Sequence, residues 1–338
     1  MKKTFALAAA MAAFVGSYAP RAQAADPVVL KLAFPPPPVS FFNGQVLAPW
    51  GKEIEEATQG AVTVQIFVGG TVANFGNVYD RVLNGVVELG WGLHGPMGSK
   101  FQKSSVTNLP GMLATGSQCS AALWQLIATG VVADEYQGVK PLAVGCFPGS
   151  GFVSAKPLRS MDDFKGMKVG VGSKMLGQEV EILGAAGISL NTAEIYQMLQ
   201  RGTIDASATG WAAVAAFKFY EVSKYGYEAP MGNSTNFLLM NTESFKKLPE
   251  TAQRVIESKS GAPLTARMGK AGEDETNHGR HMVEQMPGYT ISTMPPSDLA
   301  KLQKVMQPLI DQWVKDTPDG ARVLAAYKAE LEKARRAM

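Results

Sequence analysis

The stretch Lys165–Asp205, KGMKVGVGSKMLGQEVEILGAAGISLNTAEIYQMLQRGTID, constrains the fold more than any other part of the chain. A β-rich run at Met167–Val171 gives way to helical spacing over about Lys174–Ala186. A short apolar link follows, then a second helical run over Thr192–Arg201 that turns into another strand. Asn191 stands three residues before Glu194, the spacing of a helix cap, and Gly202 stops that helix. Gly166 and Gly187 punctuate the rest. A unit of this kind builds a sheet covered by helices, so the chain belongs to the α/β class.

The same alternation runs upstream. Val28–Phe34 reads as a strand, ended by Pro35–Pro38, which cannot continue a ladder. Gly44–Thr58 places Val46, Leu47, Trp50, Ile54 and Ala57 at helical spacing, and Val62, Val64 and Ile66 alternate as a strand. Asn74–Asn84 is a short helix, and GVVELGWGL is an apolar strand leading into the loop His94–Phe101. Ser117–Thr129 predicts a helix, Lys140–Cys146 a strand, and Phe147–Gly151 (FPGSG) a turn at the first crossing between two lobes. Downstream, Asn236–Asn241 is a strand expected to return to the first lobe. Pro249–Met286 contains a long polar helix that Gly261 and Pro263 bend or break. Tyr289–Met294 is a strand, Ser297 caps a helix to about Thr317, and Asp319–Ala337 is a charged terminal helix. The domain reading is 25–148 with about 233–262 as lobe I, and 149–232 with about 263–338 as lobe II.

The N-terminus carries Lys2 and Lys3, an apolar run Phe5–Val15, and Ala22-Gln23-Ala24. That is a secretory signal over 1–24; its apolar run is too short to span a bilayer comfortably. The expected mature protein is exported and not membrane-embedded. Without Lys2, Lys3 and Arg21 the chain holds 29 basic against 29 acidic residues, so charge argues for neither nucleic acid nor an anionic membrane surface as partner. Cys119 falls in a helix and Cys146 at the end of the next strand. Export permits a disulfide between them, and two buried thiols are the alternative.

The wording of three segments is more specific than their pattern. FKGMKV, then GISLNTAEIYQMLQRGTIDA, then FKFYEVSKY resemble the solute-binding proteins of TRAP transporters (tripartite ATP-independent periplasmic, the DctP-like family). The family's LKGLKIRV, E-x-Y-x-AL-Q-x-G-x-x-DG and K-x-x-E-V-x-K-Y are matched by Lys165, Gly166, Lys168, Glu194, Tyr196, Leu199, Gln200, Gly202, Asp205, Lys218, Glu221, Val222, Lys224 and Tyr225. Glu56, Thr58, Gly60, Gly69 and Gly70 match its opening, and Leu109-Pro110 a later LP pair. The resemblance runs from about Leu30 to the C-terminus. It implies a two-lobed periplasmic-binding-protein-like fold with mixed sheets, a hinge and a long helix along both lobes. It also implies a periplasmic monomer without cofactor that captures a small organic ligand and delivers it to TRAP membrane permease subunits.

At the ligand positions the sequence departs from that family. The arginine that clamps a substrate carboxylate corresponds to Gly170, a second hinge arginine to Ser150, and the asparagine of DGQEN to Thr209. Replacing an arginine by glycine removes a two-bond charge-assisted clamp and leaves room. The expected ligand is therefore an organic acid of unusual type, aromatic or less charged. Trp91, Phe147, Phe152, Trp211 and Phe217 are candidate walls, alternatively lobe core. His94 and Lys174 are candidate polar partners, Lys174 reaching toward the room at Gly170; a loop histidine and a solvated lysine are the alternatives. Ser173 and Asn236 complete the candidate ligand-binding set with Ser150, Gly170 and Thr209.

Other functions find less support. No G-x-S-x-G elbow, P-loop or H-E-x-x-H occurs, so an exported enzyme is a remote alternative. A ligand-sensing partner of a membrane receptor is a second alternative. His278 and His281, near Glu273, Asp274 and Glu275, read as a solvated charged helix face and not as a metal site.

Overall fold

The computed structural model describes residues 26–149 and 151–338. The expected secretory signal, 1–24, and Ser150 lie outside the described residues. In chain order the first half holds β1 (Val28–Phe34), α1 (Ala48–Ala57), β2 (Val62–Val68), α2 (Val78–Leu83), β3 (Leu89–Leu93), α3 (Gly116–Ala128) and β4 (Val139–Phe147). The middle holds β5 (Gly151–Ser154), β6 (Lys168–Val171), α4 (Lys174–Ile182), β7 (Ala186–Ser189), α5 (Thr192–Gln200), β8 (Ala206–Ala208), α6 (Trp211–Ala216) and β9 (Tyr225–Glu228). The last third holds β10 (Ser234–Asn241), α7 (Thr242–Lys246), α8 (Glu250–Ser258), α9 (Ala262–Glu284), β11 (Thr290–Thr293), α10 (Pro296–Asp316) and α11 (Gly320–Ala337).

These elements form two sheets, the basis of two lobes. The first has the order β2-β1-β3-β10-β4, with β1 parallel to β2 and β3, and β10 antiparallel to β3 and β4. The second has the order β11-β9-β5-β8-β6-β7. Both are mixed, and β10 does return to the first sheet as its sequence position suggests. Three connections pass between the sheets, β4 to β5, β9 to β10, and β10 to β11 by way of α7, α8 and α9.

Some local expectations are corrected. The apolar link after α4 is the strand β7, paired in parallel with β6 from Lys168–Ala186 to Val171–Ser189. The helix expected over Gly44–Thr58 opens as a π-helical turn at Asn43–Leu47, in which Ala48 N donates to Asn43 O. Pro49 supplies the reason: it has no N–H for the carbonyl four residues back, so the preceding turn widens. Ser297 does not cap α10; it lies inside a helix that starts at Pro296. Pro at the first helical position gives up only a donor without an intrahelical partner.

Helix α9 joins the lobes. It packs on α3 and β4 beside the first sheet and on α6 beside the second. Close approach is made possible by Gly269, Gly272 and Gly279. A Cβ there would stand 2.8 Å from Ser120 Oγ, 2.3 Å from Cys146 O and 2.2 Å from Trp211 O respectively. Gly261, at φ +73°, breaks α9 from α8 as expected, with Pro263 in the first turn that follows. Cys119 and Cys146 are joined, tying α3 to the end of β4. Helix α11, grouped with the second lobe by sequence, packs instead against α3 of the first. Its buried Val323, Tyr327 and Leu331 supply the apolar face that requires a partner.

Candidate functional site

A cavity of about 150 Å³ lies between the two sheets. Its first-lobe wall is aromatic. Alternation along β3 turns Trp91 and Leu93 to one face, while Gly90 and Gly92 face α2. A Cβ at either glycine would come within 2.5 Å of a valine methyl of that helix. The LGWGL run thus lets α2 lie directly on the strand and commits the indole to the opposite side. The Trp91 ring packs 5.0 Å from Phe34, 5.3 Å from Phe42 and 6.3 Å from Phe75, centroid to centroid. Phe147, at the end of β4, lies 5.9 Å from Phe42. Phe217, just after α6, lies 6.4 Å from Phe75, so the ring cluster extends across both lobes.

The second-lobe wall is made of helix beginnings. Gly172 and Ser173 precede α4, Thr192 opens α5 and Gly210 precedes α6; all four line the cavity. Ser173 Oγ accepts from Leu176 N at 3.2 Å, which fixes the cap of α4. The first N–H groups of a helix have no intrahelical acceptor and carry the positive end of its dipole, so this wall favours an anion without any cation. Thr209, Asn108 and Ser234 add neutral polar groups. Among the described residues Glu275 of α9 is the one ionisable side chain in the lining.

Of the sequence candidates, Trp91, Phe147, Ser173, Thr209 and Phe217 come together at this cavity. Asn236 does not line it but supports it: its Oδ1 accepts from Trp91 Nε1 at 3.1 Å, and it is fully buried. Gly170 does not open onto the cavity. A Cβ there would meet Ile204 Cδ1 at 2.9 Å and Leu190 Cδ1 at 3.2 Å, so the expected room is filled by aliphatic side chains. Trp211 is core instead of wall, its ring edge set against Gly226 of β9 in a cluster with Val214, Phe219 and Val283. Phe152 is likewise core, 4.5 Å from the ring of Phe164.

His94 and Lys174 do not line the cavity; both border a wider opening outside it, between the loop after β3 and α4. Lys174 is exposed there. The His94 ring is buried, its Nε2 2.9 Å from Tyr136 Oη, with Phe101 and Phe237 edge-on at 4.6 and 5.1 Å. Burial lowers its pKa to about 4, so it is neutral at neutral pH. Sequence reasoning missed Phe42, Phe75 and Glu275. Phe42 stands in the helical turn just before Asn43–Leu47, ahead of the expected start at Gly44, and Phe75 stands in the turn before α2, which begins at Val78 and not at Asn74. Among the described residues no group of three or more His, Cys, Asp or Glu is arranged to hold a metal, and no helix is long and apolar enough to cross a membrane.

Residues 38–316 match the family model for DctP, the bacterial extracellular solute-binding proteins of family 7. The chain belongs to that family. The family's fold is confirmed by solved structures of TRAP solute-binding proteins. One, from a marine metagenome and described as specific for aromatic acid ligands, was solved with 3-hydroxybenzoate; it shares 24% identity at a TM-score of 0.86, covering 91% of this chain and 99% of its own. Another, from Bordetella bronchiseptica, holds (R)- and (S)-mandelate; it shares 25% identity at a TM-score of 0.83, with coverages of 91% and 99%. The uncharacterized protein YiiZ of Salmonella typhimurium is 27% identical over 214 residues, 62% of this chain; the match spans 65% of YiiZ.

Proposed function

We propose that this chain is a periplasmic binding protein that captures a one-ring organic acid between its lobes and delivers it to a TRAP membrane permease. The observation that carries the ligand class is the cavity itself. Five aromatic residues, Phe42, Phe75, Trp91, Phe147 and Phe217, face helix beginnings across about 150 Å³. An apolar cavity of that volume accepts a benzene-sized ring. The ring is held by area and by offset or edge contacts with the aromatic wall. Its carboxylate is met by helix N-terminal amides and by the hydroxyls of Ser173, Thr192 and Thr209, in place of the arginine that Gly170 lacks. The mandelate-bound relative supports the same class.

In this reading residues 1–24 are a removed export signal, and the protein works as a monomer without cofactor and without catalysis. The lobes are 25–148 with 233–262 and 149–232 with the chain from 263, α11 returning to the first lobe. They close about the crossings near 147–151 and 228–234. Ser150, in the first crossing, is kept as a hinge-side ligand contact.

A thermal-shift screen with benzoate, mandelate, succinate and glucose tests the assignment. Because ligand binds only the folded state, a hundredfold excess over Kd stabilises by about 2.7 kcal/mol. Benzoate or mandelate should raise Tm, and succinate and glucose should not. A Tm increase with succinate alone, or chemical turnover of the bound acid, rejects the reading.

A further inference from the structure

Among the described residues the cavity presents one ionisable group to its occupant, and that group is an acid. Glu275, read from sequence as part of a solvated face, is 5% exposed. Its Oε1 accepts from Ser40 Oγ at 3.3 Å, and the Phe41 backbone N–H donates to the same carboxyl. No cation answers it among the described residues. The π-helical turn, α3 and α6, which all pack on α9, contain no charged residue. Lys140 of β4 pairs with Glu257. On α9 itself Arg267 pairs with Glu53, Lys270 with Asp274, and Arg280 with Glu228 and Glu284. Glu273 accepts from Ser117 N, and His278 and His281 are exposed. Burial raises the pKa of Glu275 to about 7, against the smaller opposing pull of its two hydrogen bonds.

Two carboxylates cannot share a small apolar cavity without a cation, whereas a protonated carboxyl offers an O–H donor to an anion. We propose that Glu275 binds the ligand directly: it meets an anionic ring compound in its protonated form and donates an O–H···O hydrogen bond to it. Capture above neutral pH then takes up one proton from water. This rests on the aromatic-acid reading above. Below about pH 7 the carboxyl already carries its proton; above it, each pH unit weakens binding about tenfold, because the proton must first be acquired.

The test is calorimetric titration of the mature wild-type chain with benzoate from pH 6 to pH 9, in two buffers of different ionisation heat. The expected profile is flat below about pH 7 and falls about tenfold per unit above it, with close to one proton taken up per benzoate at pH 8.5. Glu275→Gln donates from its amide at every pH and should bind with a flat profile. Ser40→Ala removes a bond that favours the ionised carboxyl and should move the bend to higher pH. Wild-type binding of benzoate without pH dependence or proton uptake overturns the inference and leaves the aromatic-acid reading standing. Tighter binding of benzylammonium than of benzoate at pH 8 overturns both, as does the absence of aromatic carboxylate binding at every pH.

Discussion

Trp91 Nε1 donates to Asn236 Oδ1 at 3.1 Å, across the antiparallel pair formed by β3 and β10. The bond satisfies a buried indole N–H and fixes the plane of the ring that floors the cavity. It also ties the floor to the strand that returns from the second lobe. The position of the aromatic wall is therefore set by a residue that itself does not line the cavity.

Trp91→Phe should keep much of the wall but leave Asn236 Oδ1 without its donor. A buried acceptor left unpaired costs about 1–3 kcal/mol. Chemical denaturation should register that loss, and benzoate affinity should fall as well. Trp211→Ala is the contrast. It removes a large core side chain at a cost of about 3–5 kcal/mol, yet the aromatic wall that meets the ligand stays whole. Retention of full affinity by Trp91→Ala would contradict the assignment of the wall.

Gly170→Arg should not create a dicarboxylate clamp. The new Cβ would meet Ile204 and Leu190 at 2.9 and 3.2 Å before any guanidinium is placed. Overpacking of this kind costs about 1–3 kcal/mol, and burying the charge adds to it. The expected outcome is a lower Tm and no increase in succinate binding, checked by denaturation and calorimetry on one preparation.

Stability should depend on pH through Glu179. This residue of α4 is buried with both carboxyl oxygens lacking a hydrogen-bond partner among the described residues, and burial raises its pKa to about 8. The folded state therefore holds a proton that the unfolded state releases near its ordinary 4.5. The contribution is fully present below about pH 4.5 and lost as pH rises toward 8. His94 acts in the opposite sense, its contribution being lost as pH falls from 6.5 through about 4. Glu179→Gln should thus become more stable relative to the wild type between pH 5 and pH 8. Denaturation midpoints that track each other across that range would refute it.

Reducing the Cys119–Cys146 bond should destabilise the first lobe. The bridge spans 27 residues, for which chain entropy gives about 3.5 kcal/mol. A double Cys→Ser variant compared with the oxidised wild type measures it in guanidinium. An unchanged midpoint would mean that the thiols are not joined in the exported protein.

The α/β alternation, the strand that returns to the first lobe, the break at Gly261 and the family are all legible in the order of residues alone. They are written in local periods, glycine stops and motif spacing, which need no knowledge of distant neighbours. The same reading marks Trp91 within β3, and Phe147, Ser173 and Thr209, which stand at strand ends and helix starts, where an α/β cleft opens. The rest depends on how the elements pack. Gly170 suggests room because an arginine is missing, but the space belongs to Ile204 and Leu190, which reach it from other elements of the second lobe. His94 and Trp211 suggest ligand contacts because they are polar or aromatic near strand ends, yet both turn inward. Glu275 suggests a solvated position because its neighbours are charged. It is buried because Gly269, Gly272 and Gly279 bring α9 flat against both lobes, and that approach fixes which side of the helix faces the cavity. The identity of a residue is local, but its burial depends on what chain folds over it, and here that chain comes from more than two hundred positions away at Ser40.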